Sequence, residues 1–497
     1  MPALSTLPPE LQLLIFEHCT FRSHYSLALV SKSIRPLATA CLYRKIHLWD
    51  CCTGYLAEWT RKTLQPLLRS LIENPKLAAL VKSVCLQASY EYVFGPEEDY
   101  LEEPDPQEPD SELCTQALGL VQQLQLADQE AWVEALQGGS IDAWLSLLIS
   151  QLGALELLQL STPLLHRSTH LSKVLNHMIR PGSDFFNRLG HVLLGDDEWV
   201  DQVAGAVVEH AMFIPFYCLP ALKEFELTVN SPNIKQWGIR DPLESLKILR
   251  LWDCNMTADE VDGFLALAPN LTELYCGFVR DVNDMDTFRQ RIDFALLHSA
   301  LTRVSSSVEF LTVDVRWNDR NNERGTDHFG VPLRRLGAVP MGSLREFHAV
   351  KRLKIPVELL LGKRPRLADV LPPNLHHLTL IDETVIWISP EGAEPEALTD
   401  RVSDHALQDV IDALDVYLGT PREHASLEEV VLDLRGLIYY GNDLVDPDNP
   451  GVYQSAQVRQ LRRMAETSRV GVWVSYKRVK KVLGAAEVPM AMGIFDR

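Results

Sequence analysis

Three histidines come first among the residues whose spacing could do chemistry. His166, His170 and His177 stand 4 and 11 residues apart. At about 100° per residue they share one helical face, where imidazoles can hold a divalent metal. Leu171, Leu175 and Met178 fall on roughly the opposite side. The same spacing therefore describes the polar face of an amphipathic helix. Spacing alone has a high false-positive rate, so neither a metal nor any other cofactor is assigned. A second cluster, Lys477-Arg478-Val479-Lys480-Lys481, has the charge of a nuclear-import signal and equally of a solvated strand end. Asp196-Asp197-Glu198 suits a helix N-terminus, where the dipole favours anions. It receives no catalytic role.

The rest of the search excludes classes. The chain holds no G-x-S-x-G turn, no G-x-x-x-x-G-K-[ST] phosphate loop and no G-x-G-x-x-G fingerprint. No two cysteines stand at C-x-x-C spacing, so a zinc ribbon or RING lacks its ligands. The reading is non-enzymatic. A net charge of −20, from 47 Lys and Arg against 67 Asp and Glu, argues against nucleic acid as a partner. No basic-then-apolar leader opens the chain, and no run of about eighteen apolar residues crosses it. A membrane partner is not expected. Nine cysteines in 497 residues read as reduced thiols of the cytoplasm or nucleus.

What, then, do the elements serve? The most ordered grammar runs from Leu7 to Leu48. Pro8 and Pro9 fit the opening of a helix, where a missing N–H costs nothing, and Glu10 suits its first turn. Leu11, Leu14, Ile15 and His18 follow at helical spacing. A second helix is expected from Tyr25 to Val30, and a third from Ser31, as N-cap, to Tyr43. Some forty residues cannot bury this much apolar surface alone. Part of it packs on the rest of the chain or waits for another protein.

The residues Leu7-Pro8-Pro9-Glu10-Leu11, Ile15-Phe16, Leu27-Ala28-Leu29-Val30-Ser31-Lys32, Arg35 and Ala40-Cys41-Leu42-Tyr43-Arg44 together resemble an F-box of the fungal style. The resemblance covers about a tenth of the chain. It implies a three-helix module, residues 5–48, that docks on a Skp-type adaptor and through it on a cullin. By that resemblance the adaptor contacts are Leu7, Pro8, Leu11, Ile15, Phe16, Leu29, Val30 and Tyr43.

The remainder carries a repeat of the form apolar-x-x-apolar-x-apolar. Its clearest copies are Leu222/Phe225/Leu227, Leu246/Leu249/Leu251 and Leu271/Leu274/Cys276. Weaker copies begin at Val81, Leu155, Val308, Leu344, Leu375 and Leu427, and Val470 to Val474 reads as a last strand. Helical patterns lie between them: Thr257 caps one, and others cover 284–298, 403–418 and 453–465. Strand, loop and helix in alternation predict an α/β array with parallel strands. It is similar to the F-box plus leucine-rich-repeat architecture of ubiquitin-ligase receptors. The fold expected is α/β: a three-helix F-box, a helical linker over 49–76, and an irregular leucine-rich-repeat-like solenoid over 77–484. An acidic insertion at 95–112 interrupts it. Nine of the residues from Glu97 to Glu112 are acidic and three are proline, so it reads as a flexible surface segment.

Side chains alternate along a strand, so the residues beside the buried positions face outward and are expected on the concave side. Over nine copies they include seven acids and one Lys or Arg. The expected target site is Glu224, Glu226, Arg250, Trp252, Glu273, Tyr275, Phe310 and Asp314, with carboxylates drawing a basic segment of an unknown target protein. The resemblance implies the substrate-recognition subunit of a cullin–RING (SCF-type) ubiquitin ligase. The alternative is an F-box scaffold that assembles a complex without ubiquitylation.

Overall fold

The computed structural model describes residues 7–50, 60–88, 111–165, 168–179, 185–195, 214–230, 242–281, 293–318, 341–361, 366–382, 402–420, 426–434, 456–468 and 470–476. Most of the acidic insertion, His166, Asp196 to Glu198 and Lys477 to Lys481 lie outside them. The chain divides into two compact units, residues 1–228 with 237–239, and residues 229–236 with 240–497.

The first unit opens with three helices, α1 (Pro9–Glu17), α2 (Phe21–Val30) and α3 (Arg35–Arg44). Pro9 occupies the first position of α1. Thr20 Oγ1 caps α2 by accepting the Ser23 N–H, so this helix starts four residues earlier than its apolar pattern suggests. Ser31 ends α2 rather than starting α3. Phe16, Ile34 and Ala38 are buried together, with Leu27, Ala28, Leu37 and Cys41 packed around them. His24 Nε2–H donates to the Phe16 carbonyl at 2.6 Å and ties α2 to α1.

A strand follows α3 directly. Strand β1 (Lys45–Asp50) begins at the next residue and pairs in parallel with β2 (Ser83–Ala88). Of the helical linker expected over 49–76, Trp49 and Asp50 belong to β1, residues 51–59 lie outside the described residues, and Gln65–Glu73 is helical and buries Leu68 and Leu71. β3 (Leu157–Leu160), β4 (His191–Leu194) and β5 (Glu224–Asn230) continue the parallel order. In the second unit β6 (Ile248–Asn255), β7 (Glu273–Asp281), β8 (Phe310–Asn318), β9 (Arg352–Pro356), β10 (His377–Asp382), β11 (Glu429–Leu434) and β12 (Gly471–Tyr476) are likewise parallel and paired in chain order.

The repeat pattern explains the core. Phe225 and Leu227, Leu249 and Leu251, Leu274 and Cys276, and Leu378 and Leu380 are all essentially inaccessible. So are the leading residues Leu222, Leu246, Leu271 and Leu375. One copy falls in a different frame from the one expected. Leu344 to Ala349 is turn and loop, and the strand comes later, on Val350/Leu353/Ile355. Leu189/Val192/Leu194 is a further copy, absent from the expected set, and it forms β4. Just past it, Gly195 has φ of +110°, and a Cβ there would lie 2.4 Å from Thr228 Cβ. Only glycine fits.

Of the histidine row, His170 is part of a packed, hydrogen-bonded contact between helices. His170 lies in helix Thr169–Met178, edge-on to Trp132 at 4.4 Å. Asp142 accepts the main-chain N–H groups of His170 and Leu171, at 2.7 and 3.0 Å, and the His170 Nδ1–H at 3.0 Å. It caps that helix from another helix, Ile141–Ser150, while Ser168 at the N-cap makes no side-chain capping bond. Loss of bonds to a charged, largely buried acceptor costs about 3 kcal/mol in total. Asp142→Ala should therefore lower the urea midpoint clearly, and Asp142→Asn, which keeps one acceptor, should lower it less. Equal midpoints for wild type and Asp142→Ala would deny the capping role.

Candidate functional site

Two surfaces stand out, one in each unit. The first is on the helical module. Leu11, Leu14 and Ile15 of α1 and Phe21, Tyr25, Leu29 and Val30 of α2 are exposed, Leu29 and Val30 at 68% and 72%. Phe21, Tyr25 and Leu29 recur every fourth residue and so share one side of α2. Helix α2 spends its inward residues on the small core around Phe16, which leaves these outside that core. Arg44 at the end of α3 pairs with Glu17 at the end of α1. Burial, with Glu17 nearby, raises the pKa of the Cys41 thiol, so that side chain remains a neutral packing group.

Of the expected adaptor contacts, Leu11, Ile15, Leu29 and Val30 are exposed apolar residues and Pro8 is exposed beside them. Leu7 and Tyr43 are half-buried. Phe16 corrects the expectation. It is wholly enclosed, because helical rotation turns it toward Ile34 and Ala38 when its neighbour Ile15 faces water. Leu14, Phe21 and Tyr25 join the surface without having been expected there. An N-cap at Thr20 is the local signal that places the last two on α2.

The second surface is the outward face of β6 to β12. Trp252 and Tyr275 stack with centroids 4.0 Å apart. Tyr275 donates its hydroxyl to Asp314 at 3.1 Å. Asp314, expected as a contact, is only 1% exposed and supports Tyr275 from beneath. Arg250 Nε–H donates to Glu273 at 2.8 Å. Phe310 lies under the Arg352 guanidinium, 4.7 Å from its centroid. Lys354 reaches Asp433 at 3.2 Å, and His377 meets Glu429 at 3.1 Å. On the first unit, His191 Nδ1 lies 2.6 Å from Glu224, and Glu226 is half-buried.

The acidic surplus expected of the face is narrower here: Glu224, Glu226, Glu273, Asp314, Glu429 and Asp433 stand against Arg250, Arg352 and Lys354. The unexpected strands β4 and β9 contribute His191, Arg352 and Lys354. The frame that starts at Leu344 puts Glu346 and His348 where Arg352 and Lys354 stand. The carboxylates at the expected positions of β6 to β12 are spent on neighbours.

Three helices with an outward apolar stripe, joined to parallel strand–helix repeats, define a docking protein built from interaction modules. The comparisons agree. Residues 4–49 match the F-box-like family and residues 57–192 match a leucine-rich repeat domain. The chain thus has an F-box-like domain followed by leucine-rich repeats, and parallel strands continue beyond the matched segment to residue 476. No curated protein matches the sequence significantly. Both domains are typically non-catalytic interaction domains. Among the described residues no helix is long and apolar enough to cross a membrane.

The thiols fit that picture. Burial, reinforced by Cys254, pushes the Cys276 pKa far above the ordinary thiol range, and a protonated thiol is a poor nucleophile. Cys218 is exposed, whereas Cys114 and Cys254 are buried. Iodoacetamide at neutral pH should modify Cys218 in the folded chain and reach Cys114, Cys254 and Cys276 only after denaturation. Peptide mass spectrometry reads this, and comparable labelling of Cys276 and Cys218 in the folded state would refute it.

Proposed function

We propose that this chain is the substrate-recognition subunit of an SCF-type cullin–RING ubiquitin ligase. The F-box-like helices bind a Skp-type adaptor, and the repeat sheet binds a target protein. The observation that carries the reading is where apolar surface is left in water. Of nine large exposed hydrophobic side chains among the described residues, seven belong to α1 and α2. A concentrated patch of this kind marks a protein interface. Its burial is favourable at roughly 25 cal/mol per Å². Leu11, Ile15, Leu29 and Val30 are the central contacts, with Leu7, Pro8 and Tyr43 around them. Phe16 serves as the core they rest on.

The target surface in this proposal is the outward strand face, with Trp252, Tyr275 and Phe310 as anchors and Arg250 and Glu273 beside them. Glu224 and Glu226 occupy the equivalent face of the first unit. Ubiquitin transfer itself is done by other subunits. This chain contributes proximity, since two partners held by one chain meet at a high effective concentration.

Each apolar anchor truncated at an interface costs about 2 kcal/mol. The double change Leu11→Ala, Val30→Ala should weaken binding of a purified Skp-type adaptor by about a thousandfold. Both side chains are exposed, so the melting temperature should hold. Wild-type affinity in calorimetry would sink the proposal.

A further inference from the structure

The helices of the second unit carry a groove that the strand face does not touch. Val416, near the end of the long helix Val402–Leu418, is 59% exposed. It borders a groove of about 260 Å³ between that helix and the short helix Leu367–Val370. Leu367 and Tyr417, both buried, form the floor, and the half-buried Ala368 and Ala413 leave the room. A cavity of about 150 Å³ holds benzene, so this one takes a large apolar side chain. The charge beside it is unbalanced. Helix Val402–Leu418 has four aspartates and no Lys or Arg. Asp412 lies on the rim of the groove and Asp415 next to Val416, and both are exposed. Spacings of three and four residues put Asp412, Asp415 and Val416 on one side of the helix. Asp415 is in the last turn, where the helix dipole disfavours an anion. Asp412 accepts the Gln408 and Gln460 side-chain amides at 2.7 and 3.1 Å, and Asp415 accepts the Gln460 amide at 3.0 Å. Those donors are neutral and cancel neither charge. Among the described residues neither carboxylate has a Lys or Arg partner. Arg366 stands on the opposite rim. The described charges of the two helices are thus Asp369, Asp412 and Asp415 against Arg366.

We propose that this groove docks a basic amphipathic helix of a partner protein. One Leu, Ile or Phe enters between Ala368 and Ala413, and a Lys or Arg one turn away meets Asp412 and Asp415. The cation finds two carboxylates already held by Gln408 and Gln460, and it relieves the anion at the unfavourable end of the dipole. Arg366 fixes the direction, because the basic residue must lie on the Asp415 side. A helix suits the site, since its side chains three or four apart share one face, as Asp412 and Val416 do on the groove's own wall. The groove shares no residue with the adaptor patch or the strand face, and the inference goes beyond the ligase reading.

The test is selection of random dodecapeptides displayed on phage against the full chain, followed by fluorescence polarisation of the best labelled peptide. The enriched sequences should pair Leu, Ile or Phe with Lys or Arg three or four positions away. The double change Asp412→Asn, Asp415→Asn keeps acceptors for the glutamine amides and removes both charges. It should lower affinity at least about tenfold, with melting no lower than wild type. Added salt should weaken the wild-type complex. Ala413→Leu, which fills the groove, should weaken binding as much, and Val416→Asp replaces it if that variant melts early. Enrichment of acidic peptides, no enrichment at all, or wild-type affinity in the double variant would overturn the inference. So would full binding by a folded Ala413→Leu or Val416→Asp chain. A wild-type dimer that Val416→Asp dissolves would give the groove to a second copy and overturn the assignment to a partner protein.

Discussion

A single main-chain carbonyl at the start of each strand holds the repeats in register. Lys82, Glu156 and Gly190 in the first unit each accept two N–H groups from the next repeat, at 2.8 to 3.1 Å. Lys247, Thr272, Glu309, Lys351 and His376 do so in the second. A carbonyl oxygen has two lone pairs, and here both are used. The paired bonds fix where the following strand begins, and so which of its side chains turn inward. Because side chains alternate with a period of two, a slip by one residue would move every buried leucine to the surface. Side chains reinforce the same row: Lys82 pairs with Glu156, Glu309 with Lys351, and His376 with Glu428. These exposed pairs add little energy. The carbonyls and the apolar rows behind them carry the fold.

The helical module depends on the same row. The Arg44 carbonyl, at the last residue of α3, accepts the Lys82 N–H at 2.9 Å, and β1 follows with no residue between. Ile46 on β1 is buried while Leu29 and Val30 on α2 remain in water. The module satisfies its main chain against the sheet and leaves its apolar stripes unsatisfied. That division is what the proposed adaptor contact needs, a surface presented by a scaffold that is already folded.

Much of this is legible in the amino-acid order alone. Strong copies of the repeat, such as Leu246/Leu249/Leu251, put strands at the right residues because three apolar positions at fixed spacing can hardly arise in a surface loop. The helix at Thr257 is legible for a local reason: Thr257 and Glu260 form a reciprocal capping box. The choices between neighbouring frames are not legible in the same way. Leu344, Phe347, Val350 and Leu353 are all buried, so apolar content alone does not say which triplet is the strand. Ile15 and Phe16 are both apolar and adjacent, and only the position of α3 decides which one faces inward. The bond from Asp142 to His170 joins residues 28 apart, and no local pattern announces such a pair.

The choice of frame has an electrostatic consequence larger than its structural one. Moving one strand from 344–349 to Arg352–Pro356 changes only a few positions of the face, yet it replaces Glu346 and His348 by Arg352 and Lys354. The observed register also sets Lys354 where it reaches the nearly buried Asp433. A carboxylate in that environment needs a partner, since a lone buried charge is strongly unfavourable. Acids counted along the sequence therefore overstate the field outside the protein, because each one paired within the sheet is withdrawn from binding. The charge that remains to select a ligand is the one left over after those pairs form, and a hydrogen bond from a neutral hydroxyl, such as that of Tyr275 to Asp314, does not cancel the charge of its acceptor.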